Sequence, residues 1–330
     1  MKQIFLLFIF LSSITNAQSK INGISFVASN RVVTDKNISP VIDVNANWVT
    51  LMPFAFMKTT ADTSIIYNDK RQWWGERIEG IEKTSELFHA KKIKIMLKPQ
   101  IWIPDGFTGN IAMKNNADWL VLEKNYEKFI LEYAQIAQKN NFEMFCMGTE
   151  LNAFVKARPK FWKQLIKKIK NVYSGKITYA ENWDTYDNVP FWNQLDFIGV
   201  DAYFPLSNKK TPTIDELSLS WNVVKQQLKS LSERSKKPIL FTEFGYQSKD
   251  FTAQEPWNHN QSSDVNLVGQ QNSLAVLLAT FWREDWFAGG FLWKWYDNHD
   301  QVGGTNDTDY TPQNKPAELI LKKFYGEYRN

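Results

Sequence analysis

Two glutamates, Glu150 and Glu243, each follow an apolar segment with the pattern of a buried strand, residues 142–149 and 238–242. An ionised carboxyl group at such a position is costly to bury unless it is paired or used in catalysis. Two carboxyl groups that face each other can cleave a glycosidic bond: one protonates the leaving oxygen while the other attacks the sugar or activates water. The alternative is that each glutamate only pairs with a buried lysine or arginine. Two such glutamates among aromatic neighbours favour the catalytic interpretation.

The two glutamates need a scaffold that brings distant chain segments together, and the order of predicted elements supplies one. Strand-like and helix-like segments alternate along the chain, which predicts an α/β fold with a parallel sheet. The predicted strands span residues 24–28, 48–53, 93–99, 142–151, 176–180, 197–201, 238–246 and 289–296. The predicted helices span residues 76–92, 117–140, 161–172, 215–235, 266–284 and 316–328.

Eight strands joined by helical crossovers predict a closed (β/α)8 TIM barrel. In such barrels the catalytic groups lie at the C-terminal ends of the strands. Glu150 belongs to the end of the fourth predicted strand and Glu243 to the end of the seventh. Because these strands face each other across the barrel mouth, we expect both carboxyl groups to contact one sugar.

Four motifs in these strand-end regions are specific enough to compare with known enzymes. They are Met147-Gly148-Thr149-Glu150-Leu151, Phe241-Thr242-Glu243-Phe244-Gly245-Tyr246, Met96-Leu97-Lys98-Pro99 and Asp201-Ala202-Tyr203-Phe204-Pro205. Together they resemble glycoside hydrolase family 113, over almost the whole mature chain. The resemblance implies a retaining endo-β-1,4-mannanase or mannobiohydrolase, acting on mannan or manno-oligosaccharides, with Glu150 as acid/base and Glu243 as nucleophile. In one departure from the wider clan, Thr149 replaces the asparagine that in many members binds the sugar 2-hydroxyl, so that partner is left open.

Aromatic and polar residues near the predicted strand ends are candidates for substrate binding. Aromatic faces stack on the apolar C–H patches of a pyranose ring, and the chain has 14 Trp, 23 Phe and 12 Tyr. Strand alternation places Trp293 and Trp295 on one side of the eighth strand, as a candidate floor for the sugar that is cleaved. The alternative for both is core packing. Further candidates, after the fifth strand and in the long polar segment 58–74, are Asn182, Trp183, Trp73 and Trp74. Trp73 and Trp74 can instead anchor their own loop.

Three residues at other strand ends are candidates for contacts with the substrate or with the glutamates. Tyr203 can donate a hydrogen bond to Glu243 and keep it ionised and oriented. Lys98 and Asp201 can each contact the substrate or pair with a buried charge. They can also pair with each other. The sequence alone leaves these roles open.

The first 17 residues have the features of a secretory signal peptide. Lys2 supplies the positive charge, residues 4–11 are apolar but too few to span a bilayer, and Thr15-Asn16-Ala17 offers small residues for cleavage. The sequence therefore predicts one catalytic domain at residues 18–330, located outside the cell or in the periplasm. The alternative is an uncleaved N-terminal membrane anchor.

Composition and motifs indicate no cofactor, metal or nucleic-acid partner. The formal net charge of +4 is too small to favour nucleic acid. The sequence contains no Gly-rich phosphate motif, HExxH or Cys/His cluster, and its acidic segment 303–309 lacks the EF-hand spacing. Cys146 is the single cysteine, which excludes a disulfide within the chain. We expect a monomer whose stability comes from its core.

Two other functions are compatible with these residues. The same fold and mechanism can act on another β-glycan, because the loops at the barrel mouth decide the substrate. The second alternative is a carbohydrate-binding barrel without catalysis, which a measurement of turnover separates from an enzyme. Whether the glycan is cut internally or from one end depends on segments 58–74 and 251–266, which can block one end of the cleft.

Overall fold

Eight parallel strands close into a barrel in the computed structural model, which describes residues 20–259 and 264–328. In chain order the barrel strands are β1 (Ile21–Phe26), β2 (Trp48–Leu51), β3 (Lys94–Leu97), β4 (Met144–Thr149), β5 (Lys176–Asn182), β6 (Ile198–Asp201), β7 (Ile239–Phe244) and β8 (Phe287–Trp295). Each strand pairs in parallel with the next, and β8 pairs with β1 to complete the circle. The predicted (β/α)8 barrel is therefore confirmed.

Helices connect the barrel strands and pack against them. They are α1 (Asp35–Asp43), α2 (Ile78–Ala90), α3 (Asn116–Lys139), α4 (Asn152–Ala157), α5 (Pro159–Val172), α6 (Ile214–Ser235), α7 (Leu267–Phe281) and α8 (Pro316–Glu327). Local chemistry fixes where several of them begin. The Thr213 side chain accepts a hydrogen bond from the backbone N of Glu216, whose own side chain reaches back, and this capping box fixes the start of α6. Pro316 occupies the first turn of α8, where its missing N–H is tolerated.

Besides helix α4 and the short 3-10 helices, two local elements are absent from the sequence prediction. Helix α1 contains Pro40, which removes a backbone donor and obscures the helical pattern, although Ile38 and Val41 are buried. The second element is the outer strand pair, formed by Phe54–Phe56 and Gln100–Trp102, which pair in parallel in the segments that follow β2 and β3. Each of these strands has three residues, too few for an alternating pattern to be recognised.

Side-chain alternation along the barrel strands divides the core into two layers. Inside the barrel a small cluster includes Trp48, Met96, Cys146 and Phe291, all buried. A larger cluster lies between strands and helices, where Trp221 and other large rings are fully buried. The packed interior leaves the mouth of the barrel as the place where polar groups can meet a ligand.

The predicted signal peptide, residues 1–17, lies outside the described residues and stays a prediction. Among the residues that are described, no helix is both long enough and apolar enough to cross a bilayer.

Candidate active site

Glu150 and Glu243 both lie at the C-terminal end of the barrel, on β4 and β7. Glu150 directly follows β4, and its backbone N donates a 2.8 Å hydrogen bond to the carbonyl O of Ala180 on β5. Its φ is 52°, a left-handed conformation that costs free energy for a residue other than glycine. Glu243 lies within β7 and is aligned with Asp201 on β6. The barrel thus fixes both glutamate backbones at its mouth.

The carboxylate of Glu243 accepts hydrogen bonds from three side chains. Its Oε1 accepts from Lys98 Nζ at 2.5 Å and from Gln100 Nε2 at 3.2 Å. Its Oε2 accepts from the Tyr203 hydroxyl at 2.9 Å, the hydrogen bond predicted from the sequence. The Lys98 ammonium group has only donors to offer, so the group it faces presents lone pairs as a carboxylate does. The three donors hold Glu243 in one orientation.

Lys98 and Asp201 form a buried ion pair beneath Glu243. Their side chains are 0% and 1% exposed, and Nζ of Lys98 lies 3.3 Å and 3.4 Å from the two Asp201 carboxylate oxygens. The hydroxyl of Thr242 donates a further hydrogen bond of 2.7 Å to Asp201. Burial lowers the pKa of Lys98, but the charges of Asp201 and Glu243 outweigh burial and raise it overall. The prediction that these two residues bind substrate is wrong, because both are enclosed; the alternative, that they pair with each other, is confirmed.

Glu150 has the opposite environment from Glu243. No side chain within residues 20–259 and 264–328 donates a hydrogen bond to its half-buried carboxyl group. Burial raises the pKa of Glu150 well above its usual value, and the negative charges of Asp201 and Glu243 raise it further. A carboxylic acid opposite a fixed carboxylate is the division of roles that an acid and a nucleophile require.

Trp293 and Trp295 on β8 have different environments, contrary to the predicted common side. Trp293 is half-buried, whereas Trp295 is 0% exposed and packs in the large core cluster, stacked on His299. The reason is a bulge between β8 and β1: Leu292 aligns with Ile24, but Trp295 aligns with Phe26, so one extra residue interrupts the alternation. The predicted substrate contact of Trp295 is therefore wrong, while that of Trp293 stays a prediction.

A family model, described as Glycoside Hydrolase Family 113, matches residues 28–315 of this chain. The chain belongs to glycoside hydrolase family 113. It is therefore a glycoside hydrolase, and the resemblance seen in its motifs is confirmed.

Solved structures with the same fold agree with this assignment. A family 113 β-mannanase from Alicyclobacillus acidocaldarius, in complex with ManMIm, is similar at a TM-score of 0.82 and 25% identity, over 94% of this chain and 98% of that one. A family 113 β-1,4-mannanase complex reaches a TM-score of 0.80 at 22% identity, over 93% and 99%. A β-glucuronidase from Faecalibacterium prausnitzii has a TM-score of 0.62 and 14% identity, over 93% of this chain and 49% of that one. The last two show the fold alone. The comparison with curated protein sequences gave no match.

In this glycoside hydrolase, Trp73 and Trp74 also differ in how far their side chains are buried. Trp74 is 7% exposed, within the large core cluster, so its predicted contact with substrate is wrong. Its position at the start of a short 3-10 helix directs it inward and anchors the loop. Trp73, one residue earlier, is 54% exposed and faces a hollow in the surface. Trp74 therefore anchors its own loop, whereas the contact of Trp73 with substrate stays a prediction.

Asn182 and Trp183 lie at the end of β5, where the sequence placed them. Asn182 is aligned with Asp201 on β6, and its Oδ1 accepts a hydrogen bond of 2.9 Å from the backbone N of Trp183. The Trp183 ring stacks on Trp257, with centroids 5.0 Å apart and planes at 22°, and meets Phe204 edge-on. Both residues are half-buried, and their contact with substrate stays a prediction.

Two polar residues near the glutamates were not predicted from the sequence. Gln100 belongs to the outer strand pair and contacts Glu243 directly. The sequence offered one signal for this contact, because Gln100 lies two residues after Lys98. Glu181 is buried at the end of β5 and accepts hydrogen bonds from the Tyr179 hydroxyl at 3.2 Å and the backbone N of Asn182 at 3.0 Å. Its negative charge also helps to raise the pKa of Glu150, after the larger effects named above.

Two lysines form ion pairs with aspartates of the acidic segment 303–309. Lys315, whose side chain is 0% exposed, donates to Asp307 Oδ1 at 2.8 Å, and Lys294 lies 3.3 Å from Asp309 Oδ2. Within the described ranges, no group of three or more His, Cys, Asp or Glu side chains is arranged to hold a metal ion.

Proposed function

We propose that this family 113 enzyme cleaves β-1,4-mannosidic bonds of mannan or manno-oligosaccharides by double displacement, with net retention of anomeric configuration. The observation that carries the proposal is the unequal environment of the two glutamates. Glu243 accepts hydrogen bonds from Lys98, Gln100 and Tyr203, whereas the pKa of Glu150 is raised by burial and by nearby negative charge. The similarity to a β-mannanase at 25% identity over nearly the full chain supports mannan as the substrate.

In the first half-reaction, a carboxylate oxygen of Glu243 attacks the anomeric carbon while Glu150 gives its proton to the leaving glycosidic oxygen. The bond to the leaving sugar breaks and a glycosyl ester with Glu243 forms. Because Lys98 and Tyr203 already orient the carboxylate, little reorganisation precedes the attack.

In the second half-reaction, Glu150 begins as a carboxylate and acts as the base. Ester formation removes the negative charge of Glu243, one of the charges that raise the pKa of Glu150, so that pKa falls and Glu150 stays ionised. It then takes a proton from water as the water oxygen attacks the anomeric carbon, and Glu243 leaves as a carboxylate.

Three predicted residues supply substrate contacts in this proposal. The half-buried Trp293 forms the floor beneath the sugar whose bond breaks, by stacking on its apolar face. Gly245 lets β7 and β8 approach there, since an added Cβ would lie 2.3 Å from the Trp293 carbonyl O. Asn182 and Trp183, at the end of β5, contact neighbouring sugar hydroxyls and faces.

We also propose that the enzyme works outside the cytoplasm, because residues 1–17 have the charge, apolar core and cleavage site of a signal peptide. Export of the full chain fused to a reporter, with loss of residues 1–17 detected by mass spectrometry, tests this part alone.

Hydrolysis of mannohexaose, compared with cellohexaose, tests the proposed substrate. We expect products from mannohexaose and a much lower kcat/KM on cellohexaose, with no products from a Glu243→Gln variant purified in the same way. Equal or faster cleavage of cellohexaose would favour the alternative of another β-glycan. Retention of mannohexaose without any product would favour the binding barrel.

A further inference from the structure

An aromatic hollow opens on the surface at the segments that follow β2 and β3. It is lined by Phe54, Phe56, Trp73, Glu76 and Trp102, with other residues of the same loops. Trp73 and Trp102 are 54% and 47% exposed, far more than most large rings of this protein. Exposed indole surface is unfavourable in water, and aromatic faces that are kept accessible are suited to stacking on a ligand. We call this surface the aromatic hollow.

One short strand links the lining of the hollow to the active site. Gln100 and Trp102 belong to the same strand of the outer strand pair, and Gln100 donates to Oε1 of Glu243. Residues two apart on a strand point to the same side, with a separation of about 7 Å. Trp102 therefore lies one step outward from a group that contacts the nucleophile.

The aromatic hollow is held in shape by contacts within the outer strand pair and its flanking loop. Phe56 is aligned with Trp102 and meets it edge-on, with ring centroids 5.6 Å apart. The Gln72 side chain donates to the carbonyl O of Phe54 and accepts from the backbone N of Asp69 at 2.7 Å. Glu76 adds a carboxyl group at the edge, which can bind sugar hydroxyls. Rigid apolar surface with few polar groups is typical of a carbohydrate subsite.

We propose that the aromatic hollow is an outer glycone-side subsite, in which Trp102, with Trp73, stacks on a mannosyl ring of the glycan bound at Glu243. The glycone side follows from the path through Gln100, because the nucleophile attacks the glycone sugar whereas the acid faces the leaving group. The occupant is the substrate chain itself, since the strand that lines the hollow with Trp102 also contacts the nucleophile through Gln100. This inference rests on the proposed function.

Aryl β-mannosides that carry one, two or three mannosyl units test the subsite. The aryl group is the leaving group in each, so added sugars extend only into the glycone side. We expect Trp102→Ala to leave kcat/KM for the aryl monomannoside unchanged and to lower it about tenfold for the longest glycoside. Trp102→Phe should keep most of the activity, because a phenyl ring also stacks. Trp73→Ala should show the same dependence on length, with a smaller loss.

The matched control is Trp286→Ala, which removes a half-buried indole just before β8, at the opposite end of the barrel. It should show no dependence on glycoside length. Equal loss on all three glycosides, or no loss, in a Trp102→Ala protein that melts like the wild type would overturn the subsite while leaving the proposed function intact. A wild-type enzyme that hydrolyses none of the aryl β-mannosides would overturn both.

Discussion

Nζ of Lys98 lies 2.5 Å from Oε1 of Glu243 and 3.3 Å from Oδ1 of Asp201, at a position with no exposure to solvent. One ammonium group thus faces two carboxyl groups at the base of the active site. Removing one partner of a buried pair leaves an uncompensated charge, which is far more costly than losing a surface ion pair. Lys98 is therefore expected to support both the fold and the attack by Glu243.

Replacing Lys98 tests this dual role. Lys98→Met keeps the length of the side chain and removes its charge, so we expect a loss of about 3–5 kcal/mol in the free energy of unfolding and a large fall in kcat/KM. Lys94→Met, an exposed position on the same strand, is the control and should change both quantities little. If Asp201→Asn in the Lys98→Met background restores part of the stability, the loss comes from the buried charge that Lys98→Met leaves uncompensated. A Lys98→Met enzyme with normal stability and activity would contradict it.

Tyr203→Phe isolates the single hydroxyl that donates to Oε2 of Glu243. The ring and its packing remain, but a hydrogen bond to a charged group is lost, so we expect kcat/KM to fall about tenfold to a hundredfold. Tyr310→Phe is a matched control, because the Tyr310 ring touches Tyr203 edge-on while its hydroxyl donates to the carbonyl O of Pro256. Similar losses in the two variants would show that the effect does not come from Glu243.

The loss of activity caused by Glu150→Ala should depend on the leaving group of the substrate. Protonation of the leaving oxygen matters most for a sugar and least for an acidic phenol, so we expect a 100-fold to 10,000-fold loss on mannohexaose, consistent with roughly 10²–10⁴ for general acid catalysis. The first step on a dinitrophenyl mannoside should survive much better. Single-turnover rates that fall equally on both substrates would argue against Glu150 as the proton donor.

The pH profile of kcat/KM should depend on the charges around Glu150. The acid must be protonated in the free enzyme, so activity is lost as pH rises through its pKa, which burial and the charges of Asp201 and Glu243 raise. Asp201→Asn removes one of these charges, lowers the pKa of Glu150 and should move the basic limb to lower pH. Glu181→Gln should cause a smaller shift in the same direction. A basic limb that stays fixed or moves upward in Asp201→Asn would contradict this assignment.

Much of the scaffold was predictable from the sequence, because long apolar segments alternate with amphipathic ones. Glu150 and Glu243 could be placed at the ends of β4 and β7 for the same reason, and Tyr203 could be linked to Glu243. The sequence could not decide whether Lys98 contacts substrate or a buried carboxylate. That contact depends on strands β3, β6 and β7 meeting at one point.

The errors have local physical causes. Trp295 was placed on the wrong side because a bulge in β8 shifts the alternation, and a bulge leaves little trace in a single sequence. Trp74 and Trp73 are neighbours of the same type, so composition could not tell which one is buried. Gln100 was missed because its strand has three residues and belongs to a sheet outside the barrel.

Trapping of the glycosyl-enzyme tests the central claim, that Glu243 is the nucleophile of a retaining mechanism. A 2-deoxy-2-fluoro-β-mannosyl fluoride slows the second half-reaction more than the first, so the ester should accumulate. We expect inactivation with a mass increase of one fluorosugar on the peptide that contains Glu243, and no such label in Glu243→Gln. Label on any other residue, or NMR that detects an initially inverted product from an aryl β-mannoside, would contradict the account.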